Sequence, residues 1–355
     1  MLSAGPSGQT KFREMSWWMC SGAFHACNAW LFAHGRKNIS GIKKNKQMNR
    51  LIVTILSLIL CQHIHAQKQV AITIDDIPNT TIYPENGFRS RLLSKLDSLS
   101  VPVTVFINEG LIYNTEFVPE NTDLLEQWIK RDYVTPGNHT FSHLRYSDAG
   151  FDVFTADISK GDSLSRKLAE KYHKPLKYFR FPYNDLGKDS LQQMKIQTFL
   201  SENSYISTPF TIESSDWVFN FLYEYYLKQG DTTEAQKTAA LYIAKTLEYF
   251  DFFDSITQMQ YGRSVNQIYL CHDNSLNACC IGILIQHLKE KGYSFISLDE
   301  AMKDEVYSQP EQYTGKWGFS WVYRWMSDKN ERQSLMQKEP DITDIYELYQ
   351  NLRKK

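Results

Sequence analysis

The stretch Val70-Ala71-Ile72-Thr73-Ile74-Asp75-Asp76-Ile77-Pro78 is an apolar, β-branched run that stops abruptly at two adjacent acids. A run that is apolar throughout suits a central parallel strand covered on both faces better than a half-exposed antiparallel one. In a β/α barrel, the residues just past the carboxyl end of a strand are where catalysis usually sits. Neighbouring side chains there point in different directions, so one acid can bind a cation while the other moves a proton. Taken alone, the pair is more readily read as a turn cap, with Pro78 helping to end the strand.

The chain around this stretch is 355 residues long. That is enough to bury a large core as one barrel-sized domain with appendages, or as two smaller domains. A net charge of -1 gives no general electrostatic case for nucleic acid or an anionic membrane as partner. The first residues have the layout of a secretory leader. Lys43, Lys44, Lys46 and Arg50 precede the apolar run Leu51 to Leu60, and Cys61-Gln62-His63-Ile64-His65-Ala66-Gln67 follows. The apolar run is too short to span a bilayer comfortably. Met48 lies just before it, so residues 1–47 read as a non-native extension from an over-called start, and 48–66 as a signal peptide cleaved near Ala66. The expected location is secreted or periplasmic, with no stable membrane span after cleavage. A lipoprotein reading at Cys61 is weaker, because Leu60 before it is bulky. Of six cysteines, Cys271, Cys279 and Cys280 would remain in the mature chain, with no CxxC pair to suggest a zinc knuckle. The core is therefore expected to be held by packing, not by disulfides.

Beyond the acid pair, helical and strand signals alternate. Leu92, Leu93 and Leu96 mark a helix over Phe88 to Ser98, Val101 to Phe106 reads as a strand, and Asn121 to Lys130 as the next helix. A short strand at Tyr133 to Gly137 precedes a long amphipathic segment, Phe151 to Tyr172. Tyr178 to Phe181 is a strand stopped by Pro182, Ser190 to Leu200 a helix, and Tyr205 to Phe210 extended. This pace argues for an α/β barrel or a doubly wound sheet. A helical insertion over about 218–258, with Gly230 and Asp231 at a turn, interrupts it. Strand Gln267 to Cys271, helix Leu276 to Lys291 ending at Gly292, and strand Tyr293 to Ser297 close the alternation. Residues 303–355 form an aromatic, then helical, extension.

Asn138-His139-Thr140-Phe141-Ser142-His143 places two imidazoles four apart, which one helical turn would bring to the same side. Joined by Asp76 they would make a set of two nitrogens and one oxygen with positions left open for water and substrate, as catalytic metal sites require. A solvated histidine pair on a loop is the plainer alternative. Asn138-His139-Thr140 also matches a glycosylation sequon, discounted behind a bacterial type of leader. In Arg180-Phe181-Pro182-Tyr183, Arg180 could pair with Asp75 and favour its ionised form, and the Tyr183 amide could serve as an oxyanion donor. Asp216-Trp217 and Leu270-Cys271-His272 stand at strand ends, with His272 available as an acid and Asp216 fixing its tautomer.

In order and spacing these five pieces resemble the motifs of the polysaccharide deacetylases, the NodB-homology family of carbohydrate esterases, over roughly Val70 to Met302. The resemblance implies a distorted β/α barrel over 67–302 and a metal-dependent hydrolase. It makes Asp75 the base, Asp76, His139 and His143 the metal ligands, and Arg180 the residue that orients the base. Tyr183 would help bind the oxyanion, Asp216 would support the acid His272, and Leu270 and Trp217 would contact substrate. Zinc is the implied ion, with cobalt or nickel as alternatives. The fourth motif departs: Glu213-Ser214-Ser215-Asp216-Trp217 stands where the family usually has DxxDW. The expected substrate is an N-acetylated glycan such as peptidoglycan or a chitin-like polymer. The rivals are an O-acetyl xylan esterase with the same machinery and an inactive, carbohydrate-binding barrel.

Overall fold

A computed structural model describes residues 68–354. The sequence expectations for the leader and for residues 1–66 lie outside them. The acid-tipped stretch is strand β1, Lys68–Ile77, and it is buried on both faces, with Val70, Ile74 and Ile77 fully covered. The chain next forms helix α1 (Arg91–Leu99) and strand β2 (Val103–Ile107), then α2 (Val118–Ile129) and β3 (Val134–Asn138). Next come α3 (Phe151–Lys160), α4 (Ser163–Lys171), β4 (Tyr178–Phe179), α5 (Ser190–Glu202) and β5 (Ile206–Ser207). The second half supplies β6 (Ile212–Glu213), α6 (Asp216–Lys228), α7 (Thr232–Tyr261), β7 (Gln267–His272), α8 (Ser275–Glu290) and β8 (Tyr293–Phe295). A final helix, α9, spans Thr343–Arg353.

All pairings are parallel, in the order β5-β4-β3-β2-β1-β7-β6, with β8 on the amino-terminal half of β1. The sheet curls into a half-barrel of the distorted β/α type, with helices packed outside it. Strands β1 to β5 step outward on one side of β1, and the chain then returns to fill the other side with β6 and β7. The order therefore reverses at β1, and the crevice at the carboxyl ends of strands beside such a reversal is where α/β proteins bind ligands.

Two elements differ from the sequence expectation. The amphipathic segment 151–172 breaks into α3 and α4 at Gly161, where a methyl group would come within 2.5 Å of the Thr140 carbonyl carbon. Helical periodicity carries on across that break, so hydrophobic spacing alone does not reveal it. The helical stretch before β7 forms as α6 and α7, turning at Gly230 and Asp231, but it is integral to the core. Phe250 of α7 packs on Tyr269 of β7 at 5.3 Å between ring centroids, and the Tyr242 and Tyr269 hydroxyls are 2.8 Å apart. It is the helical connection from β6 to β7, covering the sheet as every β/α crossover must. Cys271, Cys279 and Cys280 are all free thiols. Among the described residues no helix is long and apolar enough to cross a membrane.

Candidate metal and hydrolytic site

The chemically active residues singled out above lie at the carboxyl ends of strands or in the segments that directly follow them. Register makes them neighbours: Asp75 is the cross-strand partner of His272, and Thr73 of Leu270. Because Gly137 and Asn138 pair with Tyr178 and Phe179, His139 and Arg180 leave the sheet side by side.

Thr73 and Asp75 share one face of β1, as residues two apart must. The Arg180 guanidinium reaches both through Nη1, donating to Thr73 Oγ1 at 2.8 Å and Asp75 Oδ1 at 3.1 Å, while Nη2 donates to the Pro209 carbonyl at 3.1 Å. Arg180 is fully buried and lies 4.4 Å over the Phe106 ring. One oxygen of Asp75 is thus held, and Oδ2 is left facing the His139 imidazole, 3.9 Å from Nε2.

Strand alternation would send Asp76 away from this face. Instead the β1–β2 register shifts between Ile74 and Ile77, and Asp76 takes a left-handed φ of 60°. Such an irregularity re-aims a side chain, and a non-glycine residue in that region persists only where the surroundings fix it. It brings Asp76 Oδ1 to 3.5 Å from His143 Nε2 and 3.8 Å from His139 Nε2. Burial opposes ionisation of Asp76, but the His143, His139 and His272 imidazoles and the Asn108 side chain outweigh it and lower its pKa.

The two histidines do not share a helix, contrary to the expectation from their spacing. Residues 139–143 form a loop in which Thr140 and His143 have φ of 67° and 54°. Local hydrogen bonds fix it: the Thr140 amide donates to Asn138 Oδ1 at 2.7 Å, the His143 amide to Thr140 Oγ1 at 3.1 Å, and the Ser142 amide to Asp157 Oδ2 at 2.9 Å. The rings still meet edge to face, 4.9 Å between centroids. His139 Nδ1 bonds to the Arg180 carbonyl at 2.8 Å, so Nε2 is the nitrogen that points inward. His143 is pushed down to about 4 by burial, with Asp76 pulling the other way, which leaves it neutral at pH 7 and fit to ligate. Asn138 is fully buried, its amide donating to the Ile158 carbonyl and Tyr205 hydroxyl, so the sequon is not a glycan acceptor in the folded chain.

One donor atom from each of Asp76, His139 and His143 lies within 4.8 Å of the others, and Asp76 Oδ1 is buried without a hydrogen-bond partner. An orphaned carboxylate oxygen facing two imidazole nitrogens is the donor set a small divalent cation takes.

His272 faces this triad from β7. Its Nδ1 and its amide bind the two oxygens of Asp216, at 2.7 and 2.8 Å, and Asn274 and Asn277 also donate to Asp216 Oδ2. Burial works against protonating His272, yet the Asp216 charge and hydrogen bond win and raise it to about 10. Asp216 is lowered in return, His272 overcoming the effect of its burial. His272, Asp75 and the triad line a cleft of about 640 Å³ with Leu270, Phe210, Arg145 and Tyr183. A more polar hollow lined by Thr80, Thr81, Asn108, Asn114 and Ser142 meets it at Asp76, Asn79 and His143. Trp217 is 42% exposed, its ring edge-on to Tyr349 of α9, and Tyr183 is 50% exposed beside His143.

Several residues around the cleft carry no role in the sequence reading. Asn108 follows β2 directly and could have been found by the same strand-end logic. Asp273 is buried next to His272, accepts from the Tyr83 hydroxyl and the Asn79 amide, and is raised to about 7 chiefly by burial. Arg145 stacks 4.3 Å over the Tyr183 ring. Glu213, where the fourth motif departs, lines the cleft, accepts from the Ser215 amide at 2.6 Å and is raised to about 7 by burial and the Asp216 charge.

The family model described as polysaccharide deacetylase matches residues 63–199. A peptidoglycan-N-acetylglucosamine deacetylase of Bacillus cereus is 26% identical over 151 residues, covering 42% of this chain and 47% of that protein. The chain thus matches about half the length of that curated relative. Among solved structures, a family 4 carbohydrate esterase from Streptomyces lividans in complex with acetate covers 64% of this chain and 91% of its own at 17% identity and a TM-score of 0.41. A family 4 pseudoenzyme from Bacillus anthracis covers 67% and 66%, at 17% identity and 0.43.

Proposed function

We propose, from the match of residues 63–199 to the polysaccharide deacetylase family model and from the geometry of the site, that this chain is a metal-dependent hydrolase of the acetamide of N-acetylated sugars in a peptidoglycan or chitin-like glycan. The observation that carries the reading is the convergence, on one rim, of an unpartnered Asp76 oxygen and two inward imidazole nitrogens between Asp75 and His272. Asp76, His139 and His143 would hold the ion, and zinc suits the set best, with cobalt or nickel as substitutes. When bound, a divalent ion there polarises the acetamide carbonyl and acidifies a water.

The chain's own groups do the rest. Asp75, one oxygen tied to Arg180, takes the proton of the attacking water on the other. The Tyr183 amide, at the cleft wall, donates to the oxyanion. His272 has Nδ1 committed to Asp216, so Nε2 is the atom that gives a proton to the departing amine. Leu270, 2% exposed at the cleft floor, offers an apolar contact for the acetyl methyl, and Trp217 a face for the sugar. The meeting of the two hollows at the triad leaves room for sugar units on both sides of the scissile amide, which supports a polymer as substrate. Secretion, expected from the leader, would put the enzyme where such polymers are.

Acetate release is the test. Chitooligosaccharide, peptidoglycan and acetylated xylan, each with added zinc or cobalt, separate amide from ester hydrolysis. Release from xylan alone would move the assignment to an ester hydrolase, and glycan binding without release from any of them would make the chain a binding protein.

A further inference from the structure

Tyr183 is held in an unusual way. It and Asn184 are consecutive non-glycine residues with left-handed φ, 56° and 50°. The Tyr183 side chain is half exposed, so its own burial does not impose that turn. What lies against the backbone is Gly318, from the carboxyl-terminal extension. A methyl group at Gly318 would overlap the Tyr183 carbonyl oxygen, and would lie 2.7 Å from Asn184 Cβ and 3.0 Å from the Tyr183 carbonyl carbon. Backbone meets backbone here only because position 318 has no side chain.

The segment carrying Gly318 is firmly seated. Arg324, fully buried, donates through Nη1 to the Trp317 carbonyl at 3.0 Å and through Nε and Nη2 to Glu311 at 2.9 and 2.6 Å. The Ser320 hydroxyl donates to the Thr211 carbonyl at 2.6 Å, and the Trp321 amide to the Phe210 carbonyl at 3.0 Å. Both acceptors belong to the stretch that enters β6, and Phe210 itself lines the cleft, so the extension is pinned to the sheet beside the site. Gly318 itself lines the cleft.

We propose that Gly318 is a positioning residue, and that the extension acts as a strap fixing the Tyr183 peptide in the orientation that hydrolysis uses. The inference rests on the function proposed above. Its occupant needs no new ligand: the strap is residues 311–324 of this chain. An added methyl group must push the Tyr183 carbonyl and the Tyr183–Asn184 turn aside and carry the adjoining Tyr183 amide with them, and misplacing an oxyanion donor by about 1 Å costs roughly a hundred-fold in rate.

The test is G318A, measured for acetate release and metal content, with a crystal structure of the variant. The expected result is a kcat lower by about ten- to hundred-fold, KM changed by less than about three-fold, full metal content, and a displaced Tyr183 carbonyl. Rates within two-fold of the parent, or a Tyr183 turn left in place, would overturn the role of Gly318 while leaving the hydrolase reading intact. If the parent chain itself releases no acetate, the hydrolase reading fails and the position of Tyr183 in the variant still decides the strap. Should G318A not fold, S320A loosens the strap without adding atoms and is expected to lower kcat in the same direction, and no change there would overturn the proposal.

Discussion

Among single residues, two adjacent acids divide the work by what each touches. Asp75 is bound by a buried guanidinium on one oxygen, and Asp76 has an oxygen with no hydrogen-bond partner. Asp75→Asn keeps the ligand set, so metal content should be unchanged while turnover falls by about 10²- to 10⁴-fold, the usual worth of a positioned proton acceptor. Elemental analysis beside the acetate assay reads both. The His272–Asp216 pair gives a pH prediction. His272 is raised, so its acid form is present below about pH 10 and is lost as pH rises through that value, and a cation bound nearby would draw the limit lower. In Asp216→Asn the charge that raises it is gone, and the alkaline limb of the rate profile should move to lower pH; an unmoved limb would separate His272 from the proton-donating step. The same sign governs stability: the gain from raising His272 is whole below its ordinary value and disappears as pH climbs through about 10. Much of this was legible in the chain, because Asp75-Asp76, His139, Arg180 and His272 each stand at the end of a run that reads as a strand, whereas the strand before Asp216, Ile212–Glu213, did not separate from the extended stretch 205–210. The route by which Asp76 and His143 reach the site was not legible. Both depend on left-handed backbone that neither residue type announces, and the four-residue histidine spacing suggested a helix where a hydrogen-bonded loop stands.

At the scale of elements, β1 is the reference. Its continuous burial matches its continuous apolar character, and β2 and β7 flank it on either side as parallel runs of the same kind. Helices with clear caps were equally readable: α8 begins after Asn274, whose side chain accepts from the Asn277 amide, and is followed by Gly292, where φ is 87°. The division of 151–172 was hidden because it answers a long-range demand, the approach of Gly161 to the histidine loop. The last helix makes the element-scale prediction. Tyr349 of α9 is 8% exposed among Val218, Leu222 and the Trp217 and Phe221 rings, so the carboxyl-terminal helix is tied to the helix that starts at Asp216. Tyr349→Ala should cost about 3 kcal/mol in urea unfolding, by lost burial and the cavity left behind. It should also blue- or red-shift the Trp217 fluorescence as that ring loses its partner. A loss below about 0.5 kcal/mol would mean that α9 is not seated there in solution.

For the whole molecule, the claim is that a half-barrel of parallel strands delivers five separate pieces of chain to one rim and that the carboxyl-terminal extension completes the wall of the resulting cleft. Alternating helix and strand signals left an α/β barrel and a doubly wound sheet both open, and it was the resemblance of the five motifs that implied the barrel. The closing of the cleft by Gly318 was not foreseeable, since a glycine 135 positions from Tyr183 carries no local sign of what it will touch. The most direct measurement is metal content and acetate release determined together on the purified chain and on the Asp76→Ala, His139→Ala and His143→Ala variants, with peptidoglycan and chitooligosaccharide as substrates. The account predicts about one divalent ion per parent chain and acetate released from an N-acetylated glycan, with both lost together in each variant. A parent chain that releases acetate at full rate after complete metal removal, or variants that keep ion and activity, would contradict it.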